Sequence, residues 1–526
     1  MSEQKTMHRS LVVVGAILIQ LCLGAIYAWS VFTPALSASD PADVVACYGA
    51  DKLGMDEAVL DEMREALDGP KKELRDAQEQ LKELANGEDT AVAKVKRVAI
   101  ETKQTALLTA MDAIAVRYQA KDTCDRLAYG LSKVETQAIF SAGLALFAIV
   151  MVLAGRMMPK VGPSKLAVAG GLVLGLGYVL AGLVGEGTFW SAFLFVGVVG
   201  GSGIGLAYVV PIAVGMKWFP DKKGLITGLA VAGFGFGALL WVKLGGAWGS
   251  LIANMGLGTT FIIYGIAFFL LCAIGSIWMK NPPEGWTPAG WSPPKAKVGA
   301  APVAGSVDFT SGEMLRKPQF YMLFLCFVIG AGAGLMSIGL MKLFPKQALE
   351  AGGMAAVRAS AVAGTAMAVF FSLANGIGRI AWGTISDKLG RKLSIILMLA
   401  TQGVIVIAFQ WMAGTQALLY LGAALIGFNF GGNFALFPTI TADTFGTKYI
   451  GQNYPWVFLS YGVGGIAGPI MGGRLGDLGN FPLAFTICGV LCIVAAVIAA
   501  MVTRPHKAAV AVASSPAEEA AEQANE

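Results

Sequence analysis

Long apolar stretches recur along almost the whole chain, and they constrain the fold more than any other feature. A helix needs about 20 predominantly apolar residues to cross the hydrocarbon core of a bilayer. Segments of this kind cover residues 10–35, 134–156, 164–185, 189–216, 224–250, 258–279, 318–345, 356–384, 391–413, 416–441, 450–475 and 480–503. Because 56% of the residues are hydrophobic and only 14% are charged, a soluble chain is excluded. We therefore predict an all-α membrane protein with twelve transmembrane helices.

Charge is concentrated in one segment, residues 37–133. This segment holds 19 acidic and 14 basic side chains, whereas the rest of the chain holds 15 acidic and 25 basic ones. We interpret it as a soluble insertion into an apolar body. Neither part shows a basic cluster, a nucleophile–base pair or metal-ligand spacing, so we predict no nucleic-acid partner, no metal or cofactor and no enzymatic activity.

The apolar body repeats itself after six helices. Residues 155–162 (GRMMPKVG) resemble 383–392 (GTISDKLGRK), and 203–211 (GIGLAYVVP) resemble 431–438 (GGNFALFP). Two like-oriented six-helix halves are typical of transporters that rock around a central site. The predicted divisions are the N-terminus with helix 1 (1–36), the insertion (37–133), helices 2–6 (134–279), a linker (280–317), helices 7–12 (318–503) and a tail (504–526).

The basic residues of short loops predict the orientation. They follow the second, fourth and eighth apolar segments, as Arg156, Lys160, Lys165, Lys217, Lys222, Lys223, Lys388, Arg391 and Lys392. Because cytoplasmic loops are enriched in Lys and Arg, we predict cytoplasmic termini and linker, an extracytoplasmic insertion and a location in the cell inner membrane. The loop with Lys342, Lys346 and Arg358 departs from this pattern.

Several short motifs match a known transporter family. They are the 383–392 loop and residues 24–30 (GAIYAWS), 218–224 (WFPDKKG), 309–320 (FTSGEMLRKPQF), 375–379 (NGIGR) and 435–438 (ALFP). The chain resembles the major facilitator superfamily and, within it, the oxalate/formate antiporter family, over about 10–36 and 134–503. The resemblance implies the major facilitator fold, secondary active transport of a small organic anion, and a carrier that works as a monomer.

Arg379 is the first candidate for anion binding. It lies within the eighth predicted helix, with Asn375 four residues earlier on the same face. Ionisable side chains inside membrane helices are costly and usually functional, and the planar guanidinium suits a carboxylate. The alternative is an arginine paired with backbone carbonyls or with Asp387. The family resemblance independently implies an anion-binding arginine at this position.

The family pattern also bears on the substrate. Oxalate-exchanging members carry a second cation, a lysine, in helix 11, where this sequence has Tyr461. One cation suits one carboxylate, so we predict a small monocarboxylate such as formate, lactate or pyruvate. An oxalate exchanger, or a transporter-like sensor that signals through the insertion, are the alternatives. No Asp or Glu lies deep within a predicted helix, which leaves anion exchange and proton symport through the Arg379 site both open.

Further side chains are candidates for the pocket and for gating. The resemblance implies pocket positions at Tyr27, Tyr208, Phe234, Phe430 and Phe434, for which the alternative is ordinary packing. Asn433 is a candidate hydrogen-bonding partner, or else a contact between helices. Asp387, with Gly383 and Arg391, is predicted to anchor a cytoplasmic gate, and Pro469 within the glycine-rich 464–473 stretch is predicted to allow bending.

The insertion carries a helical pattern of its own. Leu60, Leu67, Leu74 and Leu81 recur every seven residues, which predicts an antiparallel helical hairpin with its turn at Asn86-Gly87 and a break at Gly69-Pro70. Cys47 and Cys124 flank it and are predicted to form a disulfide if the compartment is oxidising. A partner contact, a lid and a spacer all remain open as its role.

Overall fold

A computed structural model of the chain describes residues 7–85, 91–184, 188–246, 248–283, 285–291, 307–341 and 343–505. All regular elements within these ranges are helices. Twelve long helices form the apolar body of the described chain: α1 (Ser10–Ser37), α2 (Val134–Val161), α3 (Pro163–Val184), α4 (Phe189–Trp218), α5 (Lys223–Gly245), α6 (Leu257–Ser276), α7 (Pro318–Leu340), α8 (Arg358–Leu389), α9 (Arg391–Met412), α10 (Gln416–Phe445), α11 (Ile450–Asp477) and α12 (Phe481–Met501).

Eleven helices of the described residues are long and apolar enough to cross a membrane, which confirms a multi-pass membrane protein. α11 is 28 residues long but is not among them. Polar side chains such as Gln452 and Asn453 near its start, and Arg474 near its end, lower its apolar character. The membrane crossing by α11, and hence the count of twelve, stays a prediction.

Each half is held together by its own helix pairs, and two further pairs form the most extensive contacts between the halves. α3 packs on α6 and α4 on α2 in the first half, while α7 packs on α11 and α9 on α12 in the second. Between the halves, α5 packs on α8 and α2 on α11. Inside a bilayer the hydrophobic effect does not drive helices together, so their association depends on close packing, which small residues allow. We call these two contacts between the halves the α5–α8 seam and the α2–α11 seam.

Two ends of the bundle can be distinguished. At one end, α1 leads into the insertion and α2 leaves it, and the Leu131 amide donates to the Leu36 carbonyl at 2.9 Å. At the other end, Arg9 before α1 pairs with Asp221 before α5 at 2.9 Å. Asp387 near the end of α8 lies at the second end as well, because it contacts the start of α5. We call these the insertion end and the Asp387 end.

The insertion is helical, as its pattern predicts. Its two long helices, Glu57–Ala85 and Ala91–Arg117, pack on each other. Leu60, Met63, Leu67, Leu74, Met111 and Ala115 are buried. The predicted turn at Asn86-Gly87 lies outside the described residues. Pro70 does not break the first helix, so that prediction is wrong; the flanking Leu67 and Leu74 are both buried, and this packing offsets the hydrogen bond that proline removes.

Cys47 and Cys124 lie on two short helices, Pro41–Cys47 and Lys121–Leu127, that pack on each other. Both are free thiols, so the predicted disulfide is not formed in this structure. Burial raises the pKa of each thiol to about 11. Because the thiolate is the reactive form, these environments slow the attack that disulfide formation requires, and the disulfide stays a prediction.

Candidate functional site

Arg379 lies at the centre of the bundle and is fully buried. Its Nε donates to Oδ1 of Asn375, one turn earlier on α8, at 3.1 Å. Its Nη1 donates to the backbone carbonyl of Val231 on α5, in the other half, at 2.8 Å. Its Nη2 has no hydrogen-bond partner among the described residues. The guanidinium is therefore oriented by two bonds, with one nitrogen left to bind something else.

Aromatic rings cover the guanidinium from both halves. The ring of Phe434 on α10 lies 4.2 Å from the guanidinium carbon, and that of Phe234 on α5 lies 5.6 Å away. Such rings attract a cation through their quadrupole, but they do not neutralise it. Arg379 forms no ion pair with any carboxylate in the described ranges, and a buried unpaired charge is costly. An anion that reaches this site would remove that cost.

Tyrosine hydroxyls complete the surroundings of Arg379. Tyr27 on α1 and Tyr461 on α11 hydrogen-bond to each other across the two halves. The Tyr27 ring packs edge-on against Phe234 at 5.2 Å, and the Tyr461 ring against Phe434 at 5.3 Å. Tyr208 on α4 also packs against Phe234, at 5.4 Å. The structure thus brings together seven of the residues singled out in the sequence: Arg379, Asn375, Tyr27, Tyr208, Tyr461, Phe234 and Phe434.

Two candidates from α10 do not face the guanidinium. Phe430 is buried behind Phe434, with ring centroids 5.3 Å apart. The Asn433 amide donates to the carbonyl of Phe430 at 3.1 Å, and a Cβ added to Gly330 of α7 would lie 2.6 Å from Asn433 Oδ1. Successive helical residues point about 100° apart, so Asn433 cannot share the direction of Phe434. The contact between helices is the interpretation that its geometry favours.

Other residues of the site were missed in the sequence. The carbonyl of Val231 has no sequence signal, because every residue carries one. Phe147 and Phe458 pack on Tyr208 at 4.9 and 5.2 Å and extend the aromatic layer. Tyr454 is fully buried, and its hydroxyl has no partner in the described structure. Its spacing of seven residues from Tyr461, two helical turns, is the signal that could have identified it.

The predicted gate residues meet at the Asp387 end. The Asp387 carboxylate accepts hydrogen bonds from the amides of Gly224 and Leu225, at the start of α5, at 2.9 and 2.8 Å. It also pairs with Arg391. Carboxylates are stabilised at helix N-termini because the free amides point at them. Asp387 is thereby committed to the α5–α8 seam and is not the partner of Arg379.

Two further charges join this gate. Lys223 at the start of α5 pairs with Asp443 near the end of α10 at 3.0 Å, and Arg391 reaches the same carboxylate at 3.3 Å. The backbones of α8 and α5 are in close contact at Gly383, since a Cβ there would come within 3.0 Å of the Gly224 carbonyl. We call Lys223, Asp387, Arg391 and Asp443 the gate cluster. No local sequence pattern marks Lys223 and Asp443 as members.

Pro469 lies elsewhere. It is inside α11, and the neighbouring Gly464 and Gly468 face Val328 and Gly332 of α7 at close range. This contact is within the second half rather than between the halves. The structure therefore does not bring Pro469 together with the gate cluster.

The fold and this site define a membrane carrier, with a buried cation between two helical halves. The sequence matches the family model of the Major Facilitator Superfamily over residues 105–454 and 357–524. This match covers more than half of the chain, and the protein belongs to the Major Facilitator Superfamily. It is therefore a transporter and not an enzyme.

The chain is also similar to three curated transporters. The MFS-type transporter YhjX of Escherichia coli is 28% identical over 334 residues, 63% of this chain and 77% of that protein. The oxalate:formate antiporter of Oxalobacter formigenes is 28% identical over 275 residues, 52% of this chain and 60% of its own length. Apicoplast pyruvate carrier 1 of Toxoplasma gondii is 24% identical, over 59% and 63%.

A solved structure was also found. The crystal structure of the E. coli fucose:proton symporter aligns with 71% of this chain and 93% of its own, at 16% identity and a TM-score of 0.48.

Proposed function

We propose that the protein carries small monocarboxylates across the cell inner membrane by alternating access, either in exchange for another anion or together with a proton. The observation that carries this proposal is Arg379: a fully buried guanidinium with one unpartnered nitrogen and no ion pair in the described structure. A carboxylate matches the fork of a guanidinium in shape and charge. The oxalate:formate antiporter and the pyruvate carrier among the relatives support a small carboxylate as the substrate.

One cation favours one carboxylate. Tyr461 stands where a second cation would face Arg379, and its hydroxyl is bonded to that of Tyr27. A second carboxylate group would enter a layer of buried aromatic rings that has no further cation beside it among the described residues, at a high desolvation cost. We therefore expect dicarboxylates such as oxalate to be poorer substrates than monocarboxylates.

The proposed orientation has the Asp387 end in the cytoplasm and the insertion outside. The basic residues in the last and first helical turns and the loops at the Asp387 end include Arg156, Lys160, Lys222, Lys388 and Lys392, and such residues are retained on the cytoplasmic side. A cysteine placed at Lys388 and another at Lys103 should react with an impermeant maleimide from opposite sides of the membrane. Labelling of both from the same side would contradict the orientation.

The function is tested by uptake into proteoliposomes. Purified protein should take up labelled formate, lactate or pyruvate faster than oxalate, and Arg379→Ala should lower uptake at least about 100-fold, because a buried charge–carboxylate bond is lost. Lys243→Ala is the matched control. Lys243 is another basic residue inside a long apolar helix, α5, but its ammonium lies 5.8 Å from the Trp248 ring, so its loss should have little effect.

Two outcomes would overturn the proposal. Oxalate uptake that exceeds uptake of every monocarboxylate would contradict the substrate class. Full uptake by Arg379→Ala would contradict the site. Counterflow then separates the two modes of coupling: exchange requires anion on both sides, whereas symport proceeds into empty vesicles and responds to a proton gradient.

A further inference from the structure

Two buried tyrosine hydroxyls near Arg379 have no hydrogen-bond partner among the described residues. They belong to Tyr208 on α4 and Tyr454 on α11, whose side chains are almost fully buried. A buried polar atom without a partner is rare in native proteins and costs free energy. Other buried tyrosines of the bundle avoid this cost: Tyr27 and Tyr461 bond to each other, and Tyr264 donates to the Trp241 carbonyl. The two unpartnered hydroxyls therefore differ from their neighbours.

Both tyrosines join one cluster of side chains with Arg379. The Tyr208 ring packs on Phe234 at 5.4 Å, and the Phe234 ring lies 5.6 Å from the guanidinium carbon of Arg379. The Phe458 ring packs against both tyrosines, at 5.2 and 5.7 Å, and holds them on one side of the site. The cluster unites three unused donor groups, contributed by α4, α8 and α11, hence by both halves.

This cluster is distinct from the Tyr27–Tyr461 pair. Tyr454 lies seven residues before Tyr461 on α11, which places it about 10 Å nearer the Asp387 end. The hydroxyls of Tyr27 and Tyr461 are already bonded to each other. A ligand held by Arg379 thus meets unsatisfied hydroxyls on one side only.

We propose that Tyr208 and Tyr454 bind the oxygen on carbon 2 of the transported acid while Arg379 binds its carboxylate, so that the carrier selects 2-hydroxy- and 2-oxo-monocarboxylates. This inference rests on the proposed monocarboxylate transport and narrows its substrate class. A phenol donates to a keto oxygen and can donate to or accept from a hydroxyl, which accommodates both types of acid. An acid without that oxygen leaves both phenols unpaired, and sites of this kind discriminate strongly against the analogue that lacks the polar group.

The test compares three acids of equal carbon number. Uptake of labelled lactate, pyruvate and propionate is measured in proteoliposomes containing the full-length protein, and each rate is expressed as Vmax/KM. Propionate has the same chain without the oxygen on carbon 2. We expect wild type to prefer lactate and pyruvate over propionate by about 100-fold or more. Tyr454→Phe, which removes only the hydroxyl, should lower that ratio about tenfold by slowing lactate and pyruvate while propionate is unchanged.

A control variant separates specificity from folding. Tyr264→Phe removes another buried hydroxyl, on α6 and away from Arg379, and any loss it causes should be equal for the three acids. An equal loss for all three acids in Tyr454→Phe, or propionate uptake as fast as that of lactate in wild type, would overturn the inference and leave monocarboxylate transport standing. Uptake of none of the three would overturn the proposed function as well.

Discussion

The two seams that join the halves at the Asp387 end are related by the internal repeat, yet they differ in chemistry. In the α5–α8 seam, Gly383 faces the Gly224 carbonyl, and in the α2–α11 seam, Gly155 faces the Gly451 carbonyl. A Cβ added at either Gly383 or Gly155 would come within 3.0 Å of the facing oxygen. Direct backbone approach is therefore common to both seams, and only glycine permits it.

The two seams differ at the position four residues after Gly383 and Gly155. The α5–α8 seam has Asp387, which caps the start of α5, and the α2–α11 seam has Pro159 at the equivalent position. In place of ion pairs, the α2–α11 seam has the Met158 side chain against Gly451 and the Arg156 guanidinium 5.3 Å from the Trp456 ring. Closure thus depends on close backbone contact at both seams, whereas charge contributes only at the α5–α8 seam.

The largest effect is expected from the shared feature. Gly383→Ala and Gly155→Ala each insert a methyl group against backbone that cannot move aside, so both should lower transport at least about 100-fold, which corresponds to about 2.7 kcal/mol or more. Uptake in proteoliposomes measures this. Gly339→Ala is the control, because a Cβ there has nothing within 4 Å. Normal transport by either seam variant would show that the backbones do not approach during the cycle.

The second prediction separates the seams. Asp387→Asn keeps the shape but weakens two charge-assisted hydrogen bonds and the pair with Arg391, so the closed seam should open about tenfold more often. A cysteine at Thr227, a buried position one turn inside the gate, reports this by its modification rate from the Asp387 side once the native cysteines are replaced.

Pro159→Ala provides the matched change in the other seam and should leave that rate unchanged. An equal rise in the modification rate with Asp387→Asn and with Pro159→Ala would mean that the charge of Asp387 does not distinguish the stability of the two closed seams.

Hydrophobicity predicted the helices well because apolar segments have no alternative to helix inside a bilayer. The predicted segments 391–413 and 416–441 appear as Arg391–Met412 and Gln416–Phe445. The fifth segment was predicted too long, since α5 ends at Gly245, where Gly245-Gly246 favours termination. Arg379 stood out in the same way, as a charge in a segment that should contain none.

The remaining features depend on how the helices pack. The Lys223–Asp443 pair joins residues 220 positions apart, and no local pattern indicates which lysine meets which aspartate. Asn433 and Phe434 are neighbours in sequence, yet only Phe434 covers the guanidinium. The rotation of α10 about its axis decides which of the two side chains faces Arg379. The hydrophobic residues of α10 are spread around all sides of the helix, so the sequence does not reveal that rotation.

A smaller effect is expected from the outer member of the gate cluster. Lys223→Gln removes one ion pair, but Asp443 keeps its contact with Arg391 at 3.3 Å. The modification rate at Thr227→Cys should therefore rise only about threefold, because Asp443 is not left as an unpaired buried charge, and the rise should depend little on salt because the pair is largely buried. Lys222→Gln is a matched control, because it removes the same charge from an exposed neighbour. An equal rise in both variants would attribute the effect to overall charge instead of the ion pair.

The smallest effect is expected from Arg156 in the α2–α11 seam. Arg156 is exposed and lies over the face of Trp456, and an exposed cation–π contact is worth about 0.5–1 kcal/mol. Arg156→Gln should therefore change the Thr227→Cys modification rate less than about threefold and should show no dependence on salt, since among the described residues no carboxylate pairs with it. A response as large and as salt-dependent as that of Asp387→Asn would show that charge stabilises the closed state of both seams. The presence of Asp387 in one seam and Pro159 in the other would then not distinguish them.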